Sequence, residues 1–162
     1  MRALSRLLCG LLAFGTFGAC GPVATREDVP TDRDVLLASS ARDDRVRALD
    51  PATGEVLAVV PLDPRPGARD GPAGLAVLPD GEGWAVVLGE PVPTLRVVRS
   101  GPGGTSSIPL TGLRSASRVA VSRDGDRALV TEHWLGDPAS PGRLAVVSLE
   151  GEGAARVVET CP

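Results

Sequence analysis

The sequence predicts an all-β fold assembled from repeated antiparallel units of four short strands. Three observations predict it. Residues 74–88, Gly-Leu-Ala-Val-Leu-Pro-Asp-Gly-Glu-Gly-Trp-Ala-Val-Val-Leu, align without a gap on residues 118–132, Arg-Val-Ala-Val-Ser-Arg-Asp-Gly-Asp-Arg-Ala-Leu-Val-Thr-Glu, at an offset of 44. Each copy is a short apolar run, an Asp-Gly pair and a second apolar run, the strongest short-range hairpin pattern, because Asp-Gly tolerates the positive φ that tight turns require. The 162 residues include 20 glycines and 15 prolines, which calls for many turns and few long helices.

The elements follow in chain order. Met1–Arg6 carries two arginines, and Leu7–Ala19 is apolar or small without a charge. A positive start, a short apolar run and small residues at its end read as an export signal, residues 1–19. The run is short for a bilayer span, which needs about 20 residues. Its end, Phe17-Gly18-Ala19-Cys20, resembles the bacterial lipobox, with Phe17 where leucine is usual. The resemblance implies a diacylglycerol thioether on Cys20 and cleavage before it, so the expected partner is membrane lipid. Ordinary secretion is the alternative, but it would set bulky Phe17 at a position that prefers small residues. Gly21, not Asp, follows the cysteine, which resembles the pattern sent to the outer membrane in a Gram-negative cell. Residues 20–33 then read as a polar tether.

The remainder, residues 34–160, alternates β-branched runs with turn chemistry. Arg45–Leu49 leads through Asp50-Pro-Ala-Thr-Gly54 into Glu55–Val60. Leu95–Arg99 leads through Ser100-Gly-Pro-Gly-Gly104 into Thr105–Leu110. Arg143–Ser148 leads through Glu150–Gly153 into Ala154–Val158. With the two Asp-Gly hairpins this makes about eleven strands in groups of four. A period in the forties with four strands, a to d, per unit is the pattern of a β-propeller blade. Residues 73–110 and 117–159 each supply a full a-b-c-d set, and residues 34–62 supply b-c-d only. The segments ALDPATGEVLAVVPL and GPAGLAVLPDGEGWAVVLGE resemble the YVTN β-propeller repeat family, which implies the blade fold and no particular activity.

Closed propellers have about four to eight blades, so fewer than three predicts an incomplete, open propeller. A truncated propeller, an assembly of several copies and an open stack all fit, and we favour the first. An open stack exposes strand edges and apolar faces, which predicts self-association.

Candidate chemistry is sparse. His133 is the only histidine, and no cysteine pair or Gly-x-Ser-x-Gly elbow accompanies it. Asp32, Asp34, Asp43, Asp44, Asp124 and Asp126 lack the EF-hand spacing and read as turn residues. Trp84 and Trp134 are the only aromatic residues after the leader. Trp84 falls on a b strand and reads as core. Trp134 adjoins the polar stretch 135–142, and with His133 it forms the candidate binding surface for a protein or small molecule. No catalytic residue, metal site or cofactor is expected. The 17 basic residues are all arginine and are interspersed with 20 acids, for a net charge of −3 that becomes −5 once residues 1–19 leave. No linear basic stripe suits a phosphate backbone, so nucleic acid is not expected as a partner. The sequence therefore predicts a non-enzymatic envelope lipoprotein, a repeat module for binding or scaffolding. The alternative is a fragment of a lactonase-like or quinoprotein-like propeller enzyme without activity of its own.

Overall fold

Aliphatic and β-branched runs of four to six residues, each stopped by Gly, Pro or Asp, form strands throughout. The computed structural model describes residues 29, 30, 32–62, 71–81, 83–89, 92–100, 104–132, 141–151 and 153–160. They form β1 (Leu36–Ser40), β2 (Arg45–Leu49), β3 (Val56–Pro61), β4 (Pro72–Val77), β5 (Gly83–Leu88), β6 (Thr94–Arg99), β7 (Thr105–Pro109), β8 (Arg118–Val121), β9 (Arg127–Thr131), β10 (Arg143–Ser148) and β11 (Ala155–Glu159). The expected all-β, antiparallel architecture holds, with no helix among the described residues.

Three sheets result. The first is β1-β2-β3, the central one β4-β5-β6-β7 and the third β8-β9-β10-β11. Every pairing joins sequence neighbours and is antiparallel, so each sheet is a simple meander. The sheets stack face to face in chain order. A core of Val46, Val60 and Leu62 against Trp84, Val86, Leu88 and Val98 joins the first to the central sheet. A second core, including Val87, Leu95, Val97 and Ile108 against Val130, Ala145 and Val147, joins the central to the third.

β5 shows how sequence sets this order. All six of its residues are buried. Side chains alternate across a strand, so Trp84, Val86 and Leu88 enter one core while Ala85 and Val87 enter the other. A strand covered on both faces has no polar side to show, which is why Trp-Ala-Val-Val-Leu lacks alternation. In β9, Arg-Ala-Leu-Val-Thr, burial instead alternates, because only one face is covered.

The turns differ in detail from the tight two-residue form. In the central sheet the Gly81 N–H donates to the Leu78 carbonyl (2.9 Å) and the Leu78 N–H to Gly83 (2.9 Å), so four residues bridge the strands. The third sheet repeats this with Gly125 to Ser122 (3.0 Å) and Ser122 to Arg127 (2.8 Å). Among the described residues of these turns only the glycines, at φ 72° and 81°, take the left-handed conformation. The Asp-Gly pair is thus a reverse turn ending in a left-handed glycine, which a four-residue loop favours. Gly74 serves packing instead. A Cβ there would lie 2.7 Å from the Ser117 carbonyl oxygen and 2.8 Å from the Arg118 Cα, so its absence lets β8 close on β4.

Candidate binding surface

The meander sorts the loops between two ends of the stack. The β4–β5 and β8–β9 turns share one end with the β2–β3, β6–β7 and β10–β11 turns. The β1–β2 turn and the strand ends that open the β5–β6 and β9–β10 connections share the other with the described ends of the links between sheets. This second rim carries the side-chain hydrogen bonds that reach from a sheet to a link between sheets. Asp44, 8% exposed and at φ 50°, holds both ends of the first link: its carboxylate accepts from the Gly71 N–H (3.1 Å) and its carbonyl from the Leu62 N–H (2.9 Å). Asp is among the few non-glycine residues that enter this conformation readily. Arg96 on β6 reaches back to donate to the Leu62 carbonyl. Arg143 on β10 does the same for the next junction, donating to the Gly112 carbonyl (3.1 Å) while pairing with Glu159 (3.2 Å). The Glu132 carboxylate accepts from the Arg114 N–H (2.7 Å). Each junction is therefore clamped by an arginine from the following sheet.

The carboxylates with lowered pKa serve the same structural ends. Asp43 is pulled down to about 2, chiefly by its bond to the Arg47 guanidinium and then by Ser40. The same contact raises Arg47. Asp50 is lowered by the N–H groups of Thr53 and Ala52, and Asp124 by the Ser122 hydroxyl and the Asp126 N–H. Asp50 and Asp124 are thereby committed to their own turns, the role their sequence positions suggest. Of the remaining aspartates singled out, Asp44 is the link clamp rather than a simple turn residue.

The flanking sheets each leave one face outside the cores. On the first sheet Leu36 and Val56 are exposed, at 56% and 48%. On the third sheet the pairs Leu144·Val158, Val146·Leu129 and Val146·Arg156 share the outward face with Arg118, opposite Thr131, and Arg127, opposite Ser148. Leu129 and Val158 are 44% and 38% exposed. Arg118, Arg127 and Arg156 are exposed as well. The register thus gathers three arginines that look interspersed in the sequence. Parity along β8, β9 and β11 was the available signal, but it acts only once the pairing is known.

The expected binding residues His133 and Trp134, and the expected lipidation site Cys20, lie outside the described residues. Glu132, just before His133, is on the clamped rim, with its N–H donating to the Arg143 carbonyl (3.0 Å). Trp84, expected in the core, is 5% exposed and packs between the first and central sheets.

No protein-family model and no curated protein matches this chain. Solved structures do. Hydrazine synthase of Kuenenia stuttgartiensis superposes with a TM-score of 0.59 at 18% identity, covering 77% of this chain and 34% of that one. A candidate 6-phosphogluconolactonase of Bacteroides uniformis ATCC 8492 superposes with a TM-score of 0.55 at 15% identity, covering 85% and 39%. Both neighbours are β-propeller-like. The fold is that of β-propeller blades. At these identities the likeness concerns the fold alone. The first sheet corresponds to a b-c-d set and the other two to complete blades, stacked open among the described residues. The chain spans between a third and two fifths of the length of these two structures.

Proposed function

We propose that this chain is a non-enzymatic module of YVTN-type blades, exported and lipid-anchored through Cys20, that binds or scaffolds a partner at the cell envelope. The observation that carries the binding role is the pair of blade faces at the ends of the stack that no described residue covers, each with exposed aliphatic side chains. In the two junctions within the chain the equivalent positions are core: Val46·Val60 and Leu95·Ile108 are buried pairs, and their counterpart on the third blade is Leu144·Val158, half open to solvent. Apolar positions of this kind favour association. The clamped rim supports the same reading, since its charged groups are engaged in holding blades together. The edge of β1, unpaired among the described residues, adds a route to self-association.

The export half of the reading rests on the leader and on Phe17-Gly18-Ala19-Cys20. A diacyl anchor with about 0.8 kcal/mol per buried methylene holds a protein stably at a membrane. The test is labelled fatty acid fed to cells making the full chain. Label should enter the protein and vanish in Cys20→Ala; label retained by the variant would end the anchor.

A second reading, a piece of a larger catalytic propeller, is favoured by the partial coverage of the two solved neighbours. Further blade-coding repeats in the DNA beyond Pro162 would support it.

A further inference from the structure

We propose that the outer face of the third blade, with Arg118, Arg127 and Arg156 set around Leu129, Val146 and Val158, docks on an anionic lipid surface. The inference deepens the envelope reading and rests on it for the nearby membrane.

Charge comes first. Three exposed arginines share this face through the β8-β9-β10-β11 register, and no Asp or Glu occupies a strand position on it. Glu159, on β11, points to the opposite side and pairs with Arg143. Asp124, whose carboxylate senses Arg127, is committed to the Ser122 hydroxyl and the Asp126 N–H in its turn, and Asp126 adjoins Arg127 in that same turn rather than on the strand face. A surface of positive charge around exposed aliphatic side chains matches a bilayer whose headgroups are anionic and whose interior accepts apolar side chains.

Steric fit then disfavours another blade as the occupant. On the central blade the matching position to Arg118 is Gly74, and the β8 backbone lies where a Gly74 side chain would stand, 2.7 Å from the Ser117 oxygen. A further inner strand approaching β8 in the same way would meet the Arg118 side chain. The same arginines oppose a second copy offering its first blade, whose outer face carries Arg45 in register with Pro61, while Arg47 beside it is paired with Asp43.

The experiment measures partitioning of the full chain onto vesicles of phosphatidylglycerol and phosphatidylcholine, against vesicles of phosphatidylcholine alone. Comparing the two vesicle types cancels apolar contributions from the leader. Each arginine near an anionic leaflet contributes about fivefold, so R118S/R127S/R156S should lower the anionic preference about a hundredfold. The control R33S/R42S/R114S removes the same charge elsewhere and should keep most of it. Circular dichroism confirms that both variants retain the β fold, as exposed strand substitutions normally do. Equal losses in the two variants, or no anionic preference in the parent chain, would overturn the proposal. So would release from vesicles by duplex DNA with the same arginine dependence, which would assign the face to nucleic acid. No acyl chain enters this assay, so its failure is separable from failure of the Cys20 label.

Discussion

Val86 and Val87 are chain neighbours, both 0% exposed, yet they belong to different cores. If β5 is the middle layer of the stack, truncating either must be costly. Deleting one buried methylene costs roughly 0.5–1.5 kcal/mol with its cavity, so Val86→Ala and Val87→Ala, each losing two carbons, should destabilise by about 2 kcal/mol. That is a large share of the ~5–15 kcal/mol typical of a domain. Their side chains share no core, so the double variant should lose close to the sum, about 4 kcal/mol. Urea unfolding followed by circular dichroism reads both the midpoint and the slope, and only the midpoint should move. A two-layer sandwich with one buried face predicts an asymmetric pair. A loss under about 0.5 kcal/mol for either single variant would show that face of β5 in solvent and refute the stacking order.

Other outcomes follow from the same contacts. Gly74→Ala sets a Cβ against the Ser117 and Arg118 backbone and should cost about 1–3 kcal/mol by overpacking, read by thermal denaturation. Arg96→Met removes the charged donor to the Leu62 carbonyl and should cost about 1–3 kcal/mol, whereas Arg42→Met on the exposed loop should stay within about 0.5 kcal/mol. Asp43 sits at about 2 in the folded chain against an ordinary 3.8, so its contribution is present above about pH 4 and lost as pH falls toward 2. Because the side chain is a third exposed, screening keeps this below about 1 kcal/mol; Asp43→Asn should flatten that part of the stability–pH curve measured by urea midpoints.

Much of this fold was legible from local chemistry. The Asp-Gly repeat marked two hairpins because turn and strand preferences act within a few residues, and Trp84 on its b strand reads as core; that the whole run Trp84–Leu88 is covered on both faces emerges only from the stacking of three sheets. The Asp-Gly turns were right in place but not in form. Among the described turn residues glycine alone takes positive φ, because the reversal is spread over four residues. The arginines were not legible. Arg96 and Arg143 find their carbonyl partners 34 and 31 residues away, across a blade junction, and no spacing rule links a side chain to a backbone oxygen on another sheet. Asp44 looked like one turn aspartate among several; its difference lies in Gly71, brought beside it by the stacking of two sheets. The outer face of the third blade likewise needs the register to gather Arg118, Arg127 and Arg156.

The central claim is that the middle blade is covered on both sides, and native-state hydrogen exchange tests it most directly. The amides of Trp84–Leu88 should exchange slowest in the chain, opening only with global unfolding, while those of β1 and β11 at the stack's margins open locally. Exchange across Trp84–Leu88 as fast as in β11 would contradict the stacked-blade architecture.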